Sequence, residues 1–381
     1  MLTMRQRIAL TDTVRKRYRA SSKKRKSEIL TELVETTGYN RSYARLVLGS
    51  RKKVGRKKKY APRKRTYDAT VFYALRKLWI ATDCICSQRL QPFIPELLQV
   101  LDKNKEITCS NGVKKKVCHM SSATIDRMLQ ATKKSYELKG RSTTKPGTLL
   151  RQTVAVRTFD DWSDTRPGFF EVDTVAFCGD SVRGEYVCGL DVTDVATGWV
   201  GLDAVMGKGQ QHIHDAIDAF RHRLAFPLLG LDPDNGSEFI NWILKRYCET
   251  NRIVFTRIRP YKKNDNCYVE QKNYTTLRRF IGYGRYETEE QLVLIRQILV
   301  VAEPYVNFFQ PCKKLKEKQR IGSRVKKTYY TAQTPYQRLL ASGILNEEQK
   351  QKLQAYYETL NPMALLRKIR TVQRKLQKTL R

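Results

Sequence analysis

The chain has 381 residues, and its 73 Lys and Arg outnumber its 37 Asp and Glu, which gives a formal net charge of +36. With 41% hydrophobic residues the chain is too apolar to be disordered, and its length predicts two or three domains. So large a positive excess repels itself unless a polyanion neutralises it, and nucleic acid is therefore the first expected partner.

The N-terminal end carries half of this charge, because residues 1–67 hold 22 Lys and Arg against 4 Asp and Glu. It has no apolar core of a signal peptide, and we find no run of about 18 apolar residues that would span a bilayer. We therefore expect an intracellular protein without a membrane partner. The densest basic segment, residues 51–66, is interrupted by Gly55 and Pro62 and predicts an extended linker whose Lys57 and Lys58 lie along DNA phosphates, rather than a solvated tether.

Residues 1–50 are predicted to form a helix-turn-helix domain. Apolar residues repeat at helical spacing up to a break at Gly38, and a second helix begins after the capping residue Asn40. The second helix would present Arg41, Ser42 and Arg45 to DNA, while Tyr43, Leu46 and Val47 would hold it on the first. The alternative is an αα-hairpin without a DNA-binding role.

Residues 67–142 are predicted to be a second helical, helix-turn-helix-like domain, in which an Asn-Gly turn at 111–112 forms a β-hairpin insertion. Four cysteines and a histidine fall here, but their spacing matches no standard zinc site, so buried thiols are favoured over a metal site. They are Cys84, Cys86, Cys109, Cys118 and His119. Residues 143–168, which contain two Pro/Gly pairs, predict a linker.

Residues 169–305 change to a strand-like pattern. Three β-prone runs joined by short turns predict an antiparallel meander, and alternating helices and strands follow. This order predicts a mixed five-stranded α/β sheet of the ribonuclease H architecture, preceded by all-α domains.

Three acids stand where such a sheet builds a site. Asp173 lies in the first strand, Asp234 ends the fourth, and Glu270 lies in the first turn of the last helix. Singly, each is more often a surface or capping residue. A cluster of three acids without basic partners is costly unless divalent cations share it, and oxygen-only ligation suits Mg²⁺ or Mn²⁺ rather than zinc.

The segments FEVDT, DNGSEF and RPYKKNDNCYVEQKN around these acids closely resemble DDE transposases of bacterial insertion sequences with a retroviral-integrase-like core. Asp234 and Glu270 are separated by 35 residues, the spacing for which that family is named. The resemblance covers residues 168–310, and NFFQP and TPYQR are similar to its tail motifs. Only His119 precedes the core, so the zinc-binding N-terminal domain of retroviral integrases is not implied.

The resemblance implies that Asp173, Asp234 and Glu270 hold two Mg²⁺ ions, with Asp173 bridging, in a bacterial, nucleoid-associated enzyme. Glu171 and Asp232, each two residues before a proposed ligand, are rival acids, and so is Asp265 in the loop before Glu270. Basic and amide side chains near Glu270 are predicted to grip the DNA end, although a solvated basic face is an equal alternative for each of them. They are Lys262, Lys263, Asn264, Asn266, Lys272, Arg278 and Arg279.

Residues 306–381 are predicted to be a basic C-terminal region whose last helix packs on the core, pairs with a second subunit or follows DNA.

We expect a transposase that binds the ends of its mobile element, cleaves them and joins the 3′ ends to target DNA as a homodimer or larger assembly. The alternatives are a ribonuclease H-like nuclease and a domesticated DNA-binding regulator without catalysis.

Overall fold

A computed structural model describes residues 2–50, 66–136, 166–233, 236, 238–256 and 267–380 of the chain. These residues divide into two units, Met1–Arg65 and Thr66–Arg381. Several predicted site residues lie outside the described residues: Lys57, Lys58, Asp234, Lys262, Lys263, Asn264 and Asn266.

The described part of the first unit consists of helices α1 (Met4–Ala20), α2 (Lys23–Thr37) and α3 (Arg41–Gly49). Gly38 ends α2 with a φ of 70°, a conformation that glycine adopts without steric cost. The Asn40 side chain caps α3 by accepting a hydrogen bond from the Ser42 amide at 2.9 Å. The predicted helix, glycine turn and helix are confirmed, whereas α1 was not predicted.

The buried face of α3 differs from the predicted one. Ala44 and Leu48, one helical turn apart, are fully buried against α2. Tyr43 and Leu46 are 52% and 67% exposed, and Val47 is half-buried. The prediction that these three residues hold α3 was wrong, because the inward stripe follows the i, i+4 pair of small and apolar residues.

The second unit contains the remaining helices and strands. In chain order these are α4 Ala69–Ala81, α5 Ser87–Lys103, α6 Asn111–Cys118, α7 Ser122–Tyr136, β1 Phe169–Ala176, β2 Val187–Asp194, β3 Val200–Met206, α8 Gln210–Arg223, β4 Gly230–Pro233, α9 Trp242–Thr250, β5 Val254–Phe255, α10 Cys267–Asn273 continued by a π-helical turn Tyr274–Arg278 and α11 Arg279–Ile281, α12 Glu289–Phe309, β6 Leu315–Ile321, β7 Arg324–Tyr329, α13 Pro335–Ala341, α14 Glu347–Thr359 and α15 Pro362–Lys378.

Five strands form a mixed sheet in the order β3-β2-β1-β4-β5. The first three strands pair antiparallel, and β4 and β5 run parallel to β1. All eight residues of β2 are buried, as expected of a central strand covered on both faces. This topology confirms the predicted ribonuclease H-like α/β fold.

Helices α4 to α7 and the C-terminal helices share one hydrophobic core with the sheet. The Tyr305 hydroxyl of α12 donates to the Ala81 carbonyl of α4 at 3.0 Å, and Gln310 donates to the Thr82 carbonyl at 2.9 Å. Side chains of α15, among them Leu366 and Ile369, are buried, so this helix packs on the core. The predicted domain boundaries stay a prediction.

Helix α12 is long and apolar enough, by length and composition alone, to cross a membrane. Its Ile295, Ile298 and Leu299 are buried in the core of the second unit. Burial of this kind is typical of the central helix of a globular domain.

The predicted hairpin around Asn111 and Gly112 is wrong, because these residues begin α6. The Ser110 hydroxyl caps this helix by accepting from the Val113 amide at 3.4 Å, and Val117 is buried in the core. A serine cap and one buried valine therefore outweigh the turn preference of Asn-Gly. The hairpin that does form, β6 and β7, lies in the basic stretch at 313–330, for which no structure was predicted.

The thiols near α4 to α6 are also more accessible than predicted. Cys86 is exposed, and Cys84, Cys109 and Cys118 are only half-buried. Within the described ranges, no three His, Cys, Asp or Glu residues are grouped to hold a metal ion.

Gly112→Ala tests the conformation at α6. Alanine is the better helix former, so we expect the free energy of unfolding to stay unchanged or to rise by up to about 1 kcal/mol. The control is Gly38→Ala, where the φ of 70° should cost about 1 kcal/mol. Thermal and urea denaturation measure both effects, and a marked loss of stability in Gly112→Ala would restore the hairpin.

Candidate active site on the carboxylate face of the sheet

Four carboxyl side chains lie on one face of the sheet. Glu171 and Asp173 are two residues apart on β1, so they project to the same side. Glu171 is the register partner of Asp232 on β4, and Asp173 is the register partner of Asp191 on β2. Side chains of directly opposite residues share a face. We call Glu171, Asp173, Asp191 and Asp232 the carboxylate face.

Helix α10 and its π-helical continuation are held on this face by three hydrogen bonds. The Val269 amide donates to Glu171 at 2.8 Å, the Asn273 side chain donates to Asp173 at 2.7 Å, and the Thr276 hydroxyl donates to Asp191 at 3.0 Å. The three helical positions are spaced by four and three residues, which places them on one side of the helix. The Val269 amide is among the first N–H groups of the helix, which lack an intrahelical acceptor, and Glu171 supplies one.

These contacts bring the helical turn that carries Glu270 to the carboxylate face. Glu270 follows Val269 directly and precedes Asn273 by three residues, so it lies in the turn between the first two hydrogen bonds. Glu270 is exposed and Asp173 is half-buried. By contrast, Glu171 and Asp232 are each only 4% exposed. Within this group, Asp173 and Glu270 are therefore the carboxylates that a substrate can reach.

The buried acids have shifted pKa values. Burial raises the pKa of Glu171 to about 8, with the charges of Asp232 and Glu270 adding to the shift and backbone N–H donors opposing it. Burial also raises the pKa of Asp191 to about 7, against hydrogen bonds from Thr193 and Thr276. The Thr256 hydroxyl donates to Asp232 at 2.8 Å. Glu171 and Asp191 thus hold the helix at Val269 and Thr276, and Asp232 holds the residue that follows β5.

Asp234 follows directly on β4, but it lies outside the described residues, so its place relative to Asp173 and Glu270 stays a prediction. Glu238 of the same DNGSEF segment is described and buried. Its carboxylate accepts from Lys208 at 2.7 Å and from Thr174 at 3.2 Å. Burial raises the pKa of Glu238, but Lys208 and Thr174 outweigh this effect and keep it below its usual value. Glu238 thus joins its segment to β1.

The donors at this site fit Mg²⁺ or Mn²⁺. Asp173 and Glu270 offer carboxylate oxygens, and Asn273, which donates to Asp173, has a buried amide oxygen without a hydrogen-bond partner. Hard divalent cations take oxygen ligands of this kind.

Three of the predicted DNA contacts near Glu270 are described, and each interacts with groups of the protein itself. Arg278 donates to the Ala176 carbonyl at 3.0 Å and lies 4.9 Å from the centre of the Tyr283 ring. Arg279 forms an ion pair with Asp83 at 2.5 Å. Burial lowers the pKa of Lys272, while nearby Cys312 and Asp191 oppose this shift. A DNA contact by any of the three stays a prediction.

In the first unit, Ser42 and Arg45 are exposed on α3. Arg41 is exposed as well, but its guanidinium donates to the hydroxyls of Thr31 and Ser27 at 2.8 and 3.2 Å. Arg45 is therefore the predicted contact on α3 that is best placed to reach DNA.

Three residues that position the site were not predicted: Asn273, Asp191 and Thr276. Asn273 lies three residues after Glu270, and this spacing alone would have placed it on the same face of the helix. Asp191 and Thr276 depend on strand register and on how the helix packs. No sequence signal reports either of these.

No protein-family model matches the chain. The uncharacterized protein y4rM of Sinorhizobium fredii (strain NBRC 101917 / NGR234) is 38% identical to it over 338 residues, which are 88% of this chain and 96% of that protein. Two solved structures show a weaker likeness. The catalytic core domain of BIV integrase matches 46% of this chain and 95% of its own length at 18% identity and a TM-score of 0.32. The HTLV-2 integrase catalytic core in complex with magnesium (trimeric form) matches 38% and 87% at 15% identity and a TM-score of 0.29.

The shifted carboxyl groups predict how stability depends on pH. Between the unfolded pKa of an aspartate, about 4, and the folded pKa of Asp191, about 7, the folded state binds a proton that the unfolded state releases. Stability should therefore fall as pH rises through this window, by up to about 1 kcal/mol per pH unit from this group. Asp191→Asn should flatten the curve of unfolding free energy against pH below about pH 7. The loss of stability caused by the ionisation of Glu171 should remain.

Urea denaturation in EDTA, followed by tryptophan fluorescence, measures this dependence. Asp180→Asn, which removes an exposed carboxylate from the loop between β1 and β2, is the control. Parallel pH curves for wild type and Asp191→Asn would contradict the assignment.

Proposed function

We propose that this chain, which belongs to the family of the uncharacterized protein y4rM, is a DDE transposase. In this proposal the protein binds the ends of a mobile element, cleaves them and joins the 3′ ends to target DNA. The observation that carries the proposal is that the helix with the exposed Glu270 is hydrogen-bonded to β1, the strand that carries the half-buried Asp173. Val269 and Asn273, on either side of Glu270 in the chain, donate to Glu171 and Asp173.

Asp173, Asp234 and Glu270 would hold two Mg²⁺ or Mn²⁺ ions. When bound, such a pair lowers the pKa of an attacking water or 3′-hydroxyl and stabilises the leaving oxygen of an in-line phosphodiester displacement. The chain supplies the arrangement: Asn273 fixes one oxygen of Asp173, and Glu171 fixes the start of the helix that carries Glu270. Because both reaction steps use the same groups, one site serves cleavage and joining.

DNA recognition is assigned to the first unit. The Asn40 cap starts α3 at a defined residue, so Ser42 and Arg45 occupy its first turns, the part of a recognition helix that contacts base edges. We propose a homodimer or larger assembly, since two element ends must be joined to one target and each chain carries one triad. A cytoplasmic, nucleoid-associated location is part of the same proposal.

Substitutions of the acids test catalysis. In Glu270→Gln, Asp173→Asn and Asp234→Asn, size is kept and one negative charge is lost, so cleavage and joining should both fall by orders of magnitude while DNA binding is kept. Double variants should be little worse than single ones, because residues that act as one unit are not additive. The substrate is the inverted repeat found by sequencing the DNA that flanks the gene.

Glu171→Gln and Asp232→Asn are the matched controls. A buried carboxyl whose pKa is about 8 is mostly protonated at neutral pH and resembles an amide, so Glu171→Gln should keep most activity. In Asp232→Asn, the new amide oxygen can still accept the hydrogen bond from the Thr256 hydroxyl. Joining at the wild-type rate by Glu270→Gln would refute the triad. If the wild-type protein cleaves DNA but does not join it, the protein is a nuclease. If it binds the element ends specifically but neither cleaves nor joins them, it is a regulator.

Arg45→Gln tests DNA recognition by α3. Loss of one phosphate or base contact should weaken binding and reduce the slope of log affinity against log salt by about 1. Arg25→Gln is the control, because Arg25 already pairs with Glu28 at 2.6 Å in the same unit. Fluorescence anisotropy with labelled duplex DNA at several salt concentrations measures both. Equal effects of the two substitutions would contradict a recognition role for α3.

A further inference from the structure

A cavity of about 500 Å³ lies on the other side of the helix that carries Glu270. Tyr268, Gln271 and Lys272 of α10 form one wall, while the start of α5, the segment after α12 and strand β7 form the others. Glu270 therefore lies within two residues of three cavity-lining side chains. We call this space the cationic cavity.

Six basic side chains line the cavity, and no Asp or Glu is among its described lining residues. The six are Arg89, Lys272, Arg279, Lys313, Lys314 and Lys327. Concentrating like charges in a concave site is unfavourable unless an anion enters it, because the low-dielectric walls strengthen the repulsion.

Within the described part of the chain, most of these cations form no ion pair, although the charges of Asp191 and Asp194 act on Lys272 and Lys314. Arg89 donates to the Pro311 carbonyl at 2.5 Å, and Lys314 donates to the carbonyls of Val195 and Ala196. These contacts fix the position of the charges without neutralising them. Arg279, paired with Asp83, is the exception. Lys327 has no ion-pair partner among the residues that the structure describes.

The positive charges around the cavity affect the pKa values of two groups that line it, Lys314 and Cys312. Burial, together with the nearby charge of Arg338, lowers the pKa of Lys314 to about 8. Burial raises the pKa of the Cys312 thiol, but Lys272 and Arg338 outweigh that effect and bring it down to about 7. The Arg338 guanidinium donates to this sulfur at 2.9 Å. The cavity thus favours negative charge.

We propose that the cationic cavity binds the phosphates of a single unpaired DNA strand next to the carboxylate face. The volume fits a ligand of one or two nucleotides and excludes a duplex. Tyr268 and Tyr329 line the cavity and offer aromatic rings for bases, the combination found in sites for single strands. The identity of the ligand rests on the proposed function, which makes DNA the substrate.

The experiment uses Cys86, which is exposed and lines the cavity, in the full chain without divalent metal. Alkylation by N-ethylmaleimide is followed by peptide mass spectrometry while a short single-stranded oligothymidylate is added. Anisotropy of the labelled oligonucleotide shows how much is bound. We expect Cys86 to be protected, and Cys178, which lies outside the cavity lining, to stay reactive. A blunt duplex should leave Cys86 reactive.

Lys327→Gln and Lys326→Gln are a matched pair, because neighbouring residues of β7 point to opposite faces and only Lys327 lines the cavity. Lys327→Gln should require about fivefold more oligonucleotide for protection, since one phosphate contact is lost. Lys326→Gln should behave as wild type.

Reactive Cys86 at saturating oligonucleotide, equal protection by the duplex, or equal shifts in the two lysine variants would each overturn the cavity assignment. Protection of Cys86 as expected, in a protein that neither cleaves nor joins DNA, would uphold the cavity and overturn the proposed function instead.

Discussion

The arrangement of the site depends on how one helix is fixed to one sheet face. The carboxyl groups of Glu171, Asp173 and Asp191 each accept a hydrogen bond from successive turns of the same helix. Two of these acids are fully or nearly fully buried, and a buried polar group that loses its partner costs about 1–3 kcal/mol. Sliding or rotating the helix would break several of these bonds together. Glu270 is therefore held near the sheet by the contacts of its neighbours in the helix, Val269 and Asn273.

This constraint separates two kinds of acid that look alike in sequence. Glu171 and Asp173 are two residues apart on one strand and share a face, yet only Asp173 reaches solvent. Glu171 lies under the start of α10 and accepts from its N–H groups, which are unpaired within the helix. Burial raises the pKa of the covered Glu171, whereas Asp173 stays within reach of solvent.

The sheet, the place of Asp173 on β1 and the place of Glu270 in the first turn of α10 were predictable because they depend on local patterns. Three β-prone runs joined by short turns specify the first strands. The alternation of helices and strands that follows specifies the order of the remaining elements. Tertiary contacts were not predictable. Nothing in the sequence around Asp191 shows that it meets Thr276, which is 85 residues away. For the same reason Asn273 was not recognised as the partner of Asp173.

Other errors arose where local signals were weak or competed. Asn-Gly favours a turn, but Ser110 and the burial of Val117 make this segment helical. Helix α1 buries only Thr11 completely and is rich in arginine, so its apolar stripe is too narrow to stand out. The β6–β7 hairpin is exposed along nearly its whole length. It lacks the alternation of apolar and polar residues that identifies a half-buried strand.

The same helix also separates opposite charges. The carboxylate face lies on one side of α10, and the cationic cavity is lined by Tyr268, Gln271 and Lys272 on another. Acids alone would repel a phosphodiester, and cations alone would hold it without a place for metal ligation. A helix about 10 Å across keeps the two charged regions close together. If the protein acts as proposed, the hydrogen bonds that fix α10 to the sheet would set the distance between the phosphates held in the cavity and the phosphate at the carboxylates.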